Sequence, residues 1–271
     1  MNAATGSGGV TARATGPTVS VVTGGASGIG AACAAALAAR GDRVAILDVD
    51  EDGARREAQR LGGRAYRCDV ADEAAVRGAA SRVADEMGAV SVLVNSAGII
   101  QRPLAPEQLP MSDWDRVISV DQRGTYLCCV AFGDAMARRG AGSIVNIASI
   151  TGQRSVPLHA YAPAKAAVVA ITECLAAEWG RSGVRVNAVS PGYTLTPALQ
   201  AAIDAGQRDP AVLSANSALG RLVRPEDIAQ AVLFLTSEAS AAITGVNLPV
   251  DAGWLLAGSW HTYGGVRPPR G

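Results

Sequence analysis

The chain alternates short apolar runs with longer segments of helical character. The short runs are rich in Val, Ile and Leu and predict seven strands: "TVSVVTGG", "RVAILDVD", "RAYRCDV", "VSVLVNSAG", "GSIVNIAS", "VRVNAVSPG" and "GVNLPVD". Helices are predicted between them, around residues 31–41, 51–63, 72–88, 114–136, 161–180 and 228–236. Strands this apolar are buried on both faces, and helices that alternate with them make parallel crossovers. The pattern therefore predicts an α/β fold: one doubly wound parallel sheet with helices on both faces.

The two ends of the chain differ from the middle in composition. Residues 1–16 are rich in Gly, Ala and Thr and contain no hydrophobic stretch before a cleavage site, so we expect disorder there and no secretory signal. A single domain is expected over residues 17–253. Residues 254–271 form an aromatic C-terminal extension, which we expect to pack across a subunit interface or to cover an active site.

Composition limits the kinds of partner. The chain has 271 residues, of which 24 are basic and 24 acidic, so no net field favours nucleic acid or an anionic membrane. Its apolar runs are too short to span a bilayer. The five cysteines lack metal-site spacing and are an odd number, which favours reduced thiols in a cytoplasmic protein and no bound metal.

The segment "TGGASGIG" joins the first predicted strand to the first predicted helix. Glycines at such a turn permit positive φ and let backbone N–H groups approach a phosphate at the helix N-terminus. A glycine-rich turn alone is weak evidence, but this one lies where a dinucleotide requires it. The candidate cofactor-binding residues here are Gly24, Ser27, Gly28, Ile29 and Gly30.

Asp48 ends the second predicted strand, about twenty residues after this turn. A carboxylate at that position accepts hydrogen bonds from the adenosine ribose hydroxyls and repels the extra phosphate of NADP. Ala26 and Val49 supply no cation for such a phosphate. The cofactor predicted from these residues is NAD, with a solvated Asp as the plainer alternative.

Tyr161 and Lys165 lie four residues apart at the start of a predicted helix. An ammonium one turn away favours the phenolate, as would the positive nicotinamide of an oxidised cofactor, so we expect a pKa below the usual value near 10. Pro163 is tolerated only in a first turn, which places Tyr161 at the helix N-terminus.

Ser149 ends the preceding strand, and its hydroxyl can bind the oxygen that Tyr161 protonates or deprotonates. These groups suit hydride transfer with a nicotinamide. No G-x-S-x-G motif frames Ser149, which excludes a serine hydrolase of that type.

Several further motifs follow in a fixed order: "CDV" at 68–70, "NSAG" at 95–98, "YAPAK" at 161–165, "NAVSPGYTLT" at 187–196, "RPEDIAQAVLFL" at 224–235 and "GVNLPVDAG" at 245–253. Together with the glycine-rich turn, Asp48 and Ser149, this set resembles the classical short-chain dehydrogenase/reductase family from about residue 18 to 253. The resemblance implies a single-domain Rossmann-type fold and an alcohol–ketone oxidoreductase.

The resemblance also implies roles for individual residues. Tyr161 would be the general acid/base, Ser149 would orient the substrate, and Lys165 would bind the nicotinamide ribose and tune the tyrosine. Further cofactor contacts would come from Asp69, Val70, Asn95, Ala97, Gly98, Pro191, Gly192, Thr194 and Thr196. A homotetramer is implied as well.

Asp121, in "ISVDQRGTYL", departs from the family, which generally has Asn at this position. In the family that residue helps to hold a water that leads from the lysine to solvent, through its backbone carbonyl. Asp121 is therefore expected to preserve the relay, or else to shift the pH profile by its charge.

The sequence says less about the substrate than about the cofactor. Gln153, His159 and Tyr193 are candidate substrate residues, although a solvated loop or surface packing explains the first two equally simply. The polar residues Gln153, Arg154 and His159 favour a secondary alcohol such as a polyol or sugar alcohol. The alternatives are a 3-oxoacyl-thioester (acyl-carrier-protein) reductase, against which Asp48 counts, and a non-enzymatic dinucleotide sensor, which would be expected to lack the catalytic residues.

Overall fold

Seven strands form one sheet in the computed structural model, which describes residues 18–267 except for the side chain of His261. The strands are β1 (Val19–Thr23), β2 (Arg43–Asp48), β3 (Arg64–Arg67), β4 (Val90–Asn95), β5 (Gly142–Ile147), β6 (Val184–Pro191) and β7 (Asn247–Val250). Their order is β3-β2-β1-β4-β5-β6-β7, and every neighbouring pair is parallel. The order reverses between β1 and β4, so a ligand crevice opens beyond the carboxyl ends of those strands. The predicted fold class is confirmed, while the disorder expected for residues 1–16 concerns a segment outside the described residues.

The helices cover both faces of the sheet. They are α1 (Gly28–Ala39), α2 (Glu51–Leu61), α3 (Glu73–Met87), α4 (Met111–Val117), α5 (Thr125–Arg139), α6 (Tyr161–Trp179), α7 (Pro197–Asp204), α8 (Pro210–Ala215), α9 (Pro225–Leu235) and α10 (Trp254–Ala257). Val21 packs into one core cluster with α3, α5 and α6, whereas Val22 packs into the other with α1, α2 and α9. Successive side chains of a strand point to opposite faces, and this alternation divides the core into two layers.

The helix predicted over residues 114–136 is more complex than expected. A π-helical segment, Ile118–Gly124, separates α4 from α5, and Asp121 lies inside it. Wide turns of this kind are frequent at functional sites. The side chain of Asp121 accepts a hydrogen bond from Ile99 N at 2.9 Å, so the segment bends toward the loop that follows β4.

Two regions after β6 lie outside the core layers. Helices α7 and α8 lie between β6 and α9, and neither buries a residue. The C-terminal extension forms α10 and a 3-10 helix over Gly258–Tyr263. No helix within residues 18–267 is both long enough and apolar enough to cross a membrane.

Candidate active site

The glycine-rich turn between β1 and α1 is pressed against the loop that follows β4. Gly24 has φ +66°, and a Cβ there would lie 2.6 Å from the Cα of Ala97. Thr23 Oγ1 accepts from Ser96 N at 3.1 Å and from Ala97 N at 3.2 Å. Only glycine fits this close approach, because any side chain would collide with backbone. The close approach fixes the turn against the loop after β4, at the N-terminal end of α1, where backbone N–H groups can bind a dinucleotide pyrophosphate.

The other predicted residues of this turn take ordinary structural positions. Ser27 is the exposed N-cap of α1, and Ile29 packs against the core layer on that face. Gly28 has φ +57°, and a Cβ there would lie 3.5 Å from Thr196 Cγ2. The loop after β6 thus reaches the first turn of α1, across the crevice.

Asp48 is held in place at the end of β2. Its Oδ2 accepts from Ala26 N at 3.0 Å, and its Oδ1 accepts from Asp50 N at 3.0 Å. Each oxygen retains acceptor capacity for a ribose hydroxyl. Arg67 pairs with Asp48 in the register of β2 and β3, so a cation lies nearer than the sequence indicated.

Of the other predicted cofactor residues, some are buried and some are exposed to solvent. Asp69 is exposed and accepts from Ala71 N at 2.9 Å, whereas Val70 is buried against Gly124. Asn95 is buried and donates to Asn146 Oδ1 at 2.8 Å, so its side chain joins β4 to β5.

The loop after β6 carries four of the predicted residues. Pro191 ends β6, and Gly192 N donates to Val250 O at 3.0 Å. Thr194 donates to Gly192 O at 3.0 Å, and Thr196 accepts from Leu199 N at 3.3 Å as the N-cap of α7. Both threonine side chains therefore hydrogen-bond backbone groups of this loop and hold its conformation.

Tyr161 and Lys165 lie at the N-terminal end of α6, as predicted. Tyr161 is the first residue of the helix, and Lys165 Nζ lies 5.4 Å from the centre of its ring. Nζ donates to Ile147 O at 3.0 Å and forms an ion pair with Asp121 Oδ2 at 3.2 Å. The ion pair is buried: the side chains are 5% and 0% exposed. Gly98 lies beside it, and a Cβ there would lie 3.0 Å from Asp121 Oδ2, so a larger residue would press on the ion pair.

Ser149 lies two residues beyond β5 and is buried. Its Oγ accepts from Thr151 N at 3.2 Å and from Thr151 Oγ1 at 3.0 Å. Ser149 also hydrogen-bonds the side chain of Tyr161, and this bond lowers the pKa of the tyrosine. The strand end and the helix start thus bring the predicted catalytic residues together.

The protein's own groups raise the pKa of Tyr161 above its ordinary value. Burial has the largest effect and raises it; Lys165 lowers it, Asp121 raises it, and the bond to Ser149 lowers it. The expected influence of Lys165 is present, but among the protein's own groups burial together with the Asp121 charge outweighs it. The lowering expected from Lys165 together with a positively charged nicotinamide stays a prediction. The spacing of Tyr161 and Lys165 in the sequence predicted that the lysine ammonium lies near the tyrosine. It could not predict how strongly burial raises the pKa of Tyr161.

The ion pair keeps Lys165 protonated. Burial lowers the pKa of Lys165, but the charges of Asp121 and Tyr161 raise it more, and the net direction is upward. Burial raises the pKa of Asp121, while Lys165 and the Ile99 N–H lower it. Asp121 O accepts from Thr125 Oγ1 at 2.7 Å, so both the carbonyl and the carboxylate of Asp121 have partners in the protein.

Sequence reasoning missed Gln101. Its Oε1 accepts from Ala160 N at 2.6 Å and from Tyr161 N at 3.1 Å, so it caps the helix that carries the tyrosine. The N-cap residue itself, Ala160, has no side chain for that purpose. The only sequence signal was the place of Gln101, three residues after "NSAG".

The candidate substrate residues lie in the loops at this same edge of the sheet. Gln153 and His159 are partly buried, in the segment between Ser149 and Tyr161. Tyr193 packs edge-to-face against Trp254, with ring centres 5.7 Å apart. The first residue of α10 therefore contacts the loop after β6 in the same chain. Across residues 18–267, no group of three His, Cys, Asp or Glu side chains is placed to hold a metal.

A family model described as enoyl-(acyl carrier protein) reductase matches residues 24–255, which is most of the chain. The chain belongs to the short-chain dehydrogenase/reductase family. Two solved structures of similar fold, one of ElxO with NADP bound and one of an ElxO variant with NADPH bound, hold a nicotinamide cofactor. The glycine-rich turn described above fits such a cofactor in this chain.

Two characterised members of the short-chain dehydrogenase/reductase family resemble the chain over nearly their whole length. D-threitol dehydrogenase of Mycolicibacterium smegmatis is 44% identical, over 88% of this chain and 93% of its own. Cis-4-hydroxycyclohexanecarboxylate dehydrogenase of Sinomonas cyclohexanicum is 44% identical, over 87% and 96%. Both names describe dehydrogenases of compounds that carry a secondary hydroxyl. This chain is a secondary alcohol–ketone oxidoreductase.

A crystal structure named as ribose-5-phosphate isomerase from Brucella melitensis 16M shares both fold and sequence with this chain. It is 53% identical with a TM-score of 0.91, over 93% of this chain and 98% of its own. The fold agreement supports the strand order.

Proposed function

We propose that this enzyme oxidises a secondary hydroxyl of a polyol or sugar alcohol with NAD⁺, and reduces the corresponding ketone in reverse. The observation that carries the reaction type is the joint placement of Ser149, Tyr161 and Lys165 at the carboxyl edge of the sheet. The substrate class is supported by the resemblance to D-threitol dehydrogenase.

The chain's own residues account for the proton. In oxidation, the Tyr161 phenolate takes the hydroxyl proton of the substrate while Ser149 hydrogen-bonds the same oxygen. Lys165, kept cationic by Asp121, stabilises the phenolate electrostatically. Bound NAD⁺ would supply the hydride acceptor for the carbinol carbon, so that the C–H and O–H bonds would break as the C=O bond forms while Tyr161 takes the proton.

The choice of NAD over NADP rests on Asp48. Its carboxylate is fixed by Ala26 N and Asp50 N, where it can accept from ribose hydroxyls and repel a 2′-phosphate. Arg67 lies next to it in the sheet and would be the cation for such a phosphate if NADP were used.

We also propose a cytoplasmic homotetramer in which residues 17–253 form the catalytic domain and 254–271 an extension beside the substrate loops. All five cysteines are free, and four of them are buried, which suits a reducing compartment. Exposed aromatic side chains such as Tyr126 on α5 and Phe234 on α9 suit subunit contacts.

The first experiment measures NAD⁺ and NADP⁺ reduction with polyols, monohydroxy secondary alcohols and hydroxyacyl thioesters. Wild type should oxidise a polyol with NAD⁺, and Tyr161→Phe should lower kcat/KM by about 10²- to 10⁴-fold. Tyr66→Phe is the matched control, because it removes a hydroxyl that bonds Glu86 at the far edge of the sheet. It should keep the wild-type rate.

Three results would contradict the proposal. Turnover of only hydroxyacyl thioesters with NADP⁺ would favour the thioester reductase. Isomerisation of a pentose 5-phosphate without any cofactor would support the activity named for the Brucella structure. Full activity of Tyr161→Phe would remove the proposed base.

A further inference from the structure

The side-chain amide of Gln101 is fixed in one orientation. Its Oε1 accepts from two main-chain N–H groups, at Ala160 and Tyr161, 2.6 and 3.1 Å away. Reversing the amide would point its NH₂ group at two donors, so the assignment of oxygen and nitrogen follows from the contacts. The residue is 8% exposed.

The amide nitrogen of Gln101 is left without a partner. Nε2 is buried and has no acceptor among residues 18–267. A buried donor that makes no hydrogen bond is destabilising, and native proteins tolerate few of them without a functional reason. Since Nε2 and Oε1 share one carbon, this unused donor lies within a few ångström of the Tyr161 main chain.

A second amide has the same property nearby. Gln153 Nε2 is also buried without an acceptor in the described part of the chain. Gln153 is the C-cap of the 3-10 turn Ile150–Gly152, and Ser149 is its N-cap. This turn packs against α6 at Lys165, since a Cβ on Gly152 would lie 2.8 Å from the Lys165 carbonyl carbon. Two unused amide donors thus lie on the loops after β4 and β5, close to the start of the same helix.

We infer that Gln101 holds Tyr161 in place through its Oε1 and donates through its Nε2 to a second oxygen of the substrate, away from the reacting hydroxyl. The inference rests on the proposed function and narrows it: the substrate is an alcohol with at least one further hydroxyl or carbonyl oxygen. A monohydroxy alcohol has no oxygen to offer this donor. Gln101 therefore selects between the two classes of substrate.

The test compares two substrates in each variant: a four-carbon polyol and a monohydroxy secondary alcohol such as cyclohexanol. Gln101→Met removes both the acceptor and the donor, whereas Gln101→Glu keeps an oxygen for Ala160 N and Tyr161 N and removes the donor. Both variants should lower the ratio of polyol kcat/KM to cyclohexanol kcat/KM by about tenfold. Gln101→Glu should keep more of the cyclohexanol rate than Gln101→Met, because it keeps the cap.

The matched control is Gln108→Met, which makes the same chemical change at an exposed position in the same loop. It should leave the ratio unchanged. NADH binding, followed by fluorescence, reports whether each variant retains a folded cofactor site.

The outcomes separate this inference from the function on which it rests. If both Gln101 variants bind NADH and lose the two activities equally, the donor role is overturned, and the unused N–H belongs to a buried water or to no ligand. If wild type oxidises neither substrate, the proposed function fails first and the inference falls with it.

Discussion

Two polar clusters tie α6 to the sheet, and they differ in charge. Near the start of the helix, Lys165 contacts Ile147 O and pairs with Asp121. Seven residues further along, Thr172 accepts from Asn146 Nδ2 at 2.9 Å, and Asn146 in turn accepts from Asn95. The lysine and the threonine lie about two turns apart on one face of the helix. One cluster is an ion pair beside the reacting groups, and the other is a neutral network deep in the core.

The difference between these clusters indicates what each is for. A neutral network with most of its hydrogen bonds made positions β4, β5 and α6 at little electrostatic cost. A buried ion pair contributes little net stability, because desolvation offsets the attraction, yet it controls the protonation of its neighbours. We therefore expect changes in the charged cluster to alter both chemistry and stability, and changes in the neutral cluster to alter stability alone.

The largest effect is expected from Lys165→Met. This change leaves Asp121 buried without its counter-charge, which should cost about 3–5 kcal/mol of stability, and it should lower kcat/KM by about 10³-fold. The double variant Lys165→Met/Asp121→Asn should recover most of the stability and none of the activity. Urea unfolding and steady-state kinetics on the same preparations measure the two effects. Recovery of activity in the double variant would show that the lysine has no part in the chemistry.

A smaller effect, on stability, is expected from Asn146→Ala. The substitution leaves Asn95 and Thr172 with unmet hydrogen bonds inside the core, at a cost of about 1–3 kcal/mol. The urea midpoint should fall, while the folded variant should keep kcat/KM and the pH profile close to wild type. An inactive variant that unfolds at the wild-type urea midpoint would contradict the division between the clusters.

The two clusters also show how far the sequence alone could be interpreted. Apolar periodicity predicted the sheet, and Pro163 placed Tyr161 correctly at the first turn of α6. The glycine-rich turn at Gly24 could be recognised from the sequence, because the glycines that it needs are neighbours in the chain. The cap from Gln101 and the net direction of the Tyr161 pKa depend on burial and on contacts between residues up to 60 positions apart. No local pattern encodes such contacts, and the π-helical segment around Asp121 escaped prediction for the same reason.

The smallest effect, and the sharpest test of the charged cluster, is the pH profile of Asp121→Asn. The negative charge of Asp121 raises the pKa of Tyr161, and alcohol oxidation needs the phenolate. Removing that charge lowers the pKa of Tyr161, so the rise of kcat/KM with pH should move to lower pH, by about one unit. Asp115→Asn, which removes an exposed carboxylate on α4, is the control and should leave the pH profile unchanged.

An unshifted profile in Asp121→Asn would mean that the Asp121 carboxylate acts on Lys165 alone. A shift to higher pH would mean that loss of the ion pair had lowered the charge on Lys165, and that the ammonium governs the tyrosine more than the carboxylate does.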